Sequence, residues 1–179
     1  MITNFRSYLR GFVRETRGAE IAEAAAVLPL MFLILLGIFW FGQAFSIYGA
    51  ITRAAQDGAR AGAAPSCTTC TPLSQAARAA NAVAAAQAAL TIAKLDPTRA
   101  RQPSPAPTFV PCPGGSATCG SGKFCVQAPV YLSDTTTGTG VCGVSVSFQY
   151  PYQFWLPFTS LNKQLIWLSA SARVRLENQ

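Results

Sequence analysis

Glu23 and six cysteines are the residues of this chain whose types and spacing carry chemistry. Glu23 stands directly before an apolar run, and from Ala24 to Thr52 no side chain is charged. As a helix that run is about 43 Å long, against a hydrocarbon core of about 30 Å, so it can cross a membrane and continue beyond it. A carboxylate at its threshold costs free energy in lipid unless an opposite charge sits beside it. The cysteines Cys67, Cys70, Cys112, Cys119, Cys125 and Cys142 all follow the run. An even number beyond a membrane segment implies disulfides, which persist under oxidising conditions. Spacing does not choose among their connectivities. Cys67-Thr-Thr-Cys70 has the spacing of a thioredoxin-type redox pair, but it follows Ala-Ala-Pro-Ser in a loop. A local bridge is the expectation there. Zinc held by four of the six is the alternative and would prefer a reducing compartment.

Histidine is absent, which excludes histidine triads, histidine general bases and histidine metal sites. Past the apolar run the carboxylates are Asp57, Asp96, Asp134 and Glu177, scattered over membrane edge, turns and terminus. No acid–base pair stands out among them. The expectation is a protein that is not an enzyme and uses no cofactor or metal. The net charge is +7, of which Arg6, Arg10, Arg14 and Arg17 against Glu15 supply +3. No dense basic cluster follows the apolar run, so nucleic acid is not an expected partner. Arg53 and Arg60 share a face near the membrane edge and read as a solvated or headgroup-facing surface.

The basic segment before Gly18 keeps that end cytoplasmic by the positive-inside rule, with the rest across the membrane. A secretory signal peptide fits poorly, because the apolar run is too long and Gly18 precedes it. Two readings remain. In one, the helix is a signal anchor tethering a periplasmic binding module or adhesin. In the other, Gly18, Ala19 and Glu23 act together: a cut after Gly18 would make Ala19 the N-terminus and Glu23 the fifth residue. That arrangement resembles substrates of prepilin peptidase, the type IV pilin superfamily, whose short basic leaders are removed while the apolar helix stays. The resemblance implies that Glu23 pairs with the free amine of a neighbouring subunit, each charge offsetting the other's desolvation.

The flanking residues narrow the resemblance to one family. Arg17-Gly18-Ala19-Glu20-Ile21-Ala22-Glu23, Val27-Leu28-Pro29-Leu30, Leu36-Gly37-Ile38, Phe41-Gly42 and Ala54–Ala63 resemble the TadE-like family. So does Ser169–Glu177 near the C-terminus. These are small pilin-like membrane proteins of tight-adherence (type IVc) pilus machines. Ala24 departs from the pattern, since processed members often carry Tyr there. The resemblance implies a minor pilin or pseudopilin that helps to initiate or assemble a filament or to mediate adhesion. Its partners would be the inner membrane, other pilin-like subunits, the pilus machinery and prepilin peptidase.

These residues need elements to hold them. A helix is expected from about Ala22 to Gly62, kinked or locally opened at Pro29. Gly37, Gly42 and Gly49 would allow close helix–helix approach within lipid or a filament core. Ser74 caps a second, alanine-rich helix from Gln75 to about Leu95, whose stripe Val83, Ala86, Leu90 and Ala93 would pack on a sheet. Residues 97–122, rich in Pro, Ser, Gly and Cys, read as loop. Strands are expected over 123–132, 141–154 and 165–177, with a turn at 135–140, in an antiparallel sheet. Tyr150, Tyr152, Phe154, Trp155, Phe158 and Trp167 read as core and membrane-interface aromatics, with a sticky surface as the alternative. The fold class is α+β and pilin-like: a 1–18 leader, a 19–63 transmembrane or spine helix, and a 64–179 periplasmic domain stapled by disulfides. A small domain with long Pro/Gly loops buries limited apolar area, which is the physical reason for stapling. N-terminal sequencing of the membrane-extracted protein is expected to begin at Ala19; retention of Met1 favours the anchor reading.

Overall fold

A computed structural model describes residues 16–64, 73–132, 140–153 and 165–176. Helix α1 runs Thr16–Ala63 with Pro29 inside it, and helix α2 runs Gln75–Ile92. A 3-10 turn, Pro97–Arg99, follows, and then four strands: β1 (Pro111–Ser116), β2 (Cys125–Tyr131), β3 (Cys142–Gln153) and β4 (Leu165–Arg175). The strands form one antiparallel sheet in the order β1-β2-β3-β4. The expected α+β class and the three expected strands are there. Helix α1 starts earlier than about Ala22 and continues through Pro29. Two compact units, Met1–Gln43 and Ala44–Gln179, divide the chain.

In the first unit the large apolar side chains of α1 face outward, among them Leu28, Phe32, Leu35, Phe39 and Phe41. The stretch Glu20–Ala63 has a mean hydropathy of 2.5 in its most apolar window, so it is long and apolar enough to cross a membrane by length and composition.

In the second unit α1 changes character. Ile51, Ala54, Ala55, Ala59 and Ala63 are buried, and their spacing of three and four puts them on one helical face. Helix α2 contributes Ala82, Ala86 and Leu90, with Ala79, Val83 and Ala89 half-buried. Ala93, expected on this stripe, is instead the exposed C-cap of the helix. Ser74 caps the N-terminus as expected, its side chain accepting a hydrogen bond from the Ala77 amide. Both helices share a core with Val144, Val146, Phe148 and Tyr150 of β3 and Val126 of β2. Register pairs Val146 with Val126 on one side and Ala172 on the other. Period-two alternation therefore gives one sheet face to the helices. Phe124 packs edge-on to Phe148 at 5.0 Å within this layer.

Two glycines set the spacing of the layers. A Cβ at Gly58 would lie 2.9 Å from the Ala82 carbonyl oxygen and 3.1 Å from the Ala86 Cβ. At Gly62 it would lie 3.1 Å from both the Ala82 Cβ and a Val144 methyl. Small residues four apart let two helices and a sheet approach closely; here they work inside one chain.

The segment 97–122 corrects the loop reading. It holds a 3-10 turn capped by Asp96 and the edge strand β1, whose sequence is Pro-Cys-Pro-Gly-Gly-Ser. Proline lacks the amide a central strand needs, so such a sequence survives in a sheet only at an edge or a bulge. β1 is both, with its register to β2 shifting between Pro111 and Ser116.

Gly58→Leu should overpack the core and destabilise by about 1–3 kcal/mol, a drop in unfolding midpoint of about 4–8 °C per kcal/mol. Gly49→Ala, at a site with nothing within 4 Å of the added Cβ, should leave the midpoint unchanged or raised. Thermal unfolding of the detergent-solubilised chain compares the two.

Candidate functional site

The first element of the site is the threshold of α1. Gly18 lies within the first turns of the helix and is exposed, and Glu20 and Glu23 are exposed one turn apart. Neither carboxylate has an ion-pair partner among the described residues, where the salt bridge present joins Arg60 to Asp57 at 4.0 Å. Gly37, Gly42 and Gly49 have open space where a Cβ would be. Among the described residues none packs closely against those three, so their surface stays available to another molecule.

The second element lies wholly in the Ala44–Gln179 unit. A groove of about 500 Å³ runs between α1 and α2, lined by Ala50, Arg53, Ala85, Ala88, Ala89 and Ile92. Ile92 is 83% exposed. Ala50 on the α1 wall and alanines along the α2 wall make the groove shallow and largely apolar, and Arg53 and Asp57 place a cation and an anion at its edge. Among the described residues Arg53 has no ion-pair partner. The sequence reading took Arg53 and Arg60 together as a solvated face. The structure leaves both exposed, with Arg60 4.0 Å from a likewise exposed Asp57.

Four of the six cysteines are placed. Cys112 bridges Cys142, tying β1 to the first residue of β3, and Cys119 bridges Cys125. A sulfur committed to a disulfide has no thiolate to offer a metal, which removes zinc as a role for these four. With partners 30 and 6 positions apart in sequence, the two links restrict the unfolded chain by about 3–4 and about 2 kcal/mol on a loop-entropy basis. Cys67 and Cys70 lie outside the described residues, as do the leader before Thr16 and positions 135–139 of the turn expected at 135–140.

The third element was not legible as a unit in the sequence. Residues 97–110 form a strap that crosses the sheet: Ala100 is buried in the core shared with the helices, Arg101 pairs with β3, and Pro107 and Phe109 lie against the face opposite the helices. Arg101 and Gln149 exchange two backbone hydrogen bonds of 2.9 and 2.8 Å, and the Arg101 Nε donates to Gln149 Oε1 at 3.0 Å. The Arg101 guanidinium lies 3.3 Å from the centre of the Trp167 ring. Arg173 covers Phe109 at 4.7 Å. Beneath the strap Gln127 is buried, and its Nε2 donates to the carbonyl oxygens of Pro107 (2.9 Å) and Ala117. Gln102 donates to the Gly122 carbonyl at 2.7 Å and to Gly120, and Lys123 to Thr98. Asp96 accepts from the Thr98 amide at 2.8 Å. Hydrogen bonding from Thr98, side chain first and then backbone, holds the Asp96 carboxyl below its ordinary range.

The aromatic cluster divides accordingly. Tyr150 and Tyr152 are buried on the helix face, where burial pushes the Tyr152 phenol upward. Trp167 is half-buried on the strap face beneath Arg101. Phe154, Trp155 and Phe158 lie outside the described residues. Alternation along β3 and β4 thus places ordered aromatics on both faces, one set as core and one as a platform for arginine. Among the described residues no group of three or more His, Cys, Asp or Glu side chains stands together.

The comparisons agree with the threshold. The model of the TadE-like protein family matches residues 18–60, the stretch whose residues carry the resemblance. No curated protein and no solved structure matches the chain significantly. Over 18–60 the chain therefore resembles that family, and the matched stretch lies in the helix that is long and apolar enough to cross a membrane by length and composition. The family match ends two residues before Gly62, so it falls within the helix and does not extend to the sheet or the strap.

Removing the Arg101 stack should loosen the strap alone. Arg101→Ala should raise amide exchange across 99–110 about fivefold, on a cation–π contribution of about 1 kcal/mol, with β3 unchanged. Hydrogen-exchange mass spectrometry reads both segments.

Proposed function

We propose that this chain is a minor pilin or pseudopilin of a tight-adherence (type IVc) pilus, with a structural role in filament initiation or assembly and in surface adhesion. It would sit in the bacterial inner membrane with its N-terminus cytoplasmic and its disulfide-linked domain periplasmic, and enter the filament from there. The observation that carries this reading is α1 itself. Its turns up to Phe45, within the family-matching stretch, leave their large apolar side chains uncovered and Glu23 unpaired among the described residues, whereas the turns from Ile51 on bury one face in the domain.

Such a helix suits two environments in turn, a bilayer and a bundle of like helices, because both cover apolar surface. Glu23 supplies the registration. In lipid it lies at the cytoplasmic edge of the span, where water reaches it. Within a bundle it requires a positive partner, and a copy shifted along the axis leaves it stranded. Removal of the leader between Gly18 and Ala19 by prepilin peptidase would create one such partner, the free amine of a neighbouring subunit. The work is packing and recognition, with no catalytic turnover. The sheet, strap and disulfides give the exported end a rigid surface for partner choice, and the two bridges suit an oxidising periplasm.

Glu23→Ala should reduce recovery of the chain in sheared pili at least about tenfold while membrane insertion stays at the wild-type level. Immunoblots of the sheared and membrane fractions measure both, and wild-type recovery of the variant in pili contradicts the registration role.

A further inference from the structure

We infer that the alanine groove beside Arg53 is the docking site for the Glu23 face of a second copy of this chain, one axial step away. The inference rests on the pilus reading above and names the partner of that threshold. Charge bracketing is the first ground. The uncharged run from Ala24 to Thr52 carries Glu20 and Glu23 at one end and Arg53 at the other. All three are exposed and without an ion-pair partner among the described residues. The groove is apolar apart from Arg53 and Asp57, and Asp57 lies beside Arg60. It therefore offers one uncommitted cation to an apolar occupant carrying an anion.

Shape selects the segment. Around Glu23 at helical spacing stand Ala19, Ala22 and Ala26, with Glu20 and Val27 beside them, so the acid projects from a slim part of the helix whose largest apolar neighbour is a valine. Alanines on the incoming helix against Ala50, Ala85 and Ala89 let the backbones approach closely. Elsewhere on the exposed run, bulky residues such as Phe32, Phe39 and Phe45 would hold the helices apart.

Electrostatics also selects the direction. With Glu23 level with Arg53 and the helices parallel, Glu20 falls beside Ala50 and Val27 beside Asp57. In the antiparallel arrangement Glu20 falls near Asp57, where two carboxylates repel. Glu23 and Arg53 flank opposite ends of the uncharged run, so a contact between them joins two copies displaced along the axis. Arg53 thus supplies a counter-charge that does not depend on a free amine at Ala19.

The test places a photoreactive benzoyl-phenylalanine at Ala88, an exposed wall of the groove, in the full chain expressed in its own cells. Irradiation of sheared pili should give a covalent homodimer whose adduct maps to residues 19–27 of the second copy. The adduct should fall at least about tenfold in Arg53→Glu and in Glu23→Arg, and return in the double charge swap. Arg53 is exposed, so the swap leaves the fold intact. No adduct to that segment, an adduct with another protein or lipid, an adduct indifferent to Arg53→Glu, or one the double swap does not regain overturns the inference. If the chain still enters pili, the pilus reading stands without it. Absence of the unsubstituted chain from pili overturns both.

Discussion

The structure turns on how closely α1 approaches the rest of its domain at Gly58 and Gly62. Hydrogen alone at these positions lets the helix backbone meet the Ala82 carbonyl, the Ala86 methyl and the Val144 and Val146 side chains. Everything from Ile51 to Ala63 follows from that contact: alanines suffice as core residues because the partners are near, and burial of that face fixes the rotation of the helix about its axis. The same rotation decides which side of α1 carries Arg53 and Asp57, and hence where the groove with α2 opens. A methyl group at Gly58 would press on backbone rather than on a yielding side chain, so the interface has little room to adapt.

One continuous helix consequently serves two kinds of solvent. Its later turns obey the rules of a water-soluble core, with small buried residues on one stripe and charges on the other. Its earlier turns are apolar all round, as suits lipid or a bundle of helices. The charges Glu20, Glu23 and Arg53 mark the borders between these regimes, and in an assembled filament the borders of successive copies are the places where unlike charges can meet. The sheet on the other side has its own division: valines and aromatics toward the helices, and Gln127, Ser145 and Ser147 toward the strap. A polar sheet face is stable only when its groups are bonded or wet. The strap meets that need in part through its own backbone, Pro107 and Ala117 accepting from Gln127.

Much of this was legible in the sequence, and the reasons differ by element. The uncharged run, the Ser74 cap and the alternation through Val144, Val146 and Phe148 are local signals, and each gave the right element. The glutamate at the mouth of the helix was readable because its cost in lipid is independent of the fold. Three features were not. β1 is hidden by its prolines and glycines, which are compatible with a strand only because it lies at a bulged edge. The strap is held by contacts between distant positions, Arg101 with Gln149 and Trp167, and Arg173 with Phe109, which no local pattern reveals. Gly58 and Gly62 stood in plain view at a four-residue spacing, inside the segment that carries the family resemblance. Their role was missed because Gly37, Gly42 and Gly49 lie in the apolar run and drew the packing assignment. The structure gives those three open space instead, which suits contacts made between molecules.

The central claim is that the exposed apolar helix is an assembly surface and not a passive tether. Quantitative mass spectrometry of purified tight-adherence pili, normalised to the most abundant pilin, tests it most directly. The account predicts this chain in the filaments at a reproducible ratio below one copy per major subunit but of at least two copies per filament. Its complete absence from pili, with the whole population retained in the membrane, would contradict the account.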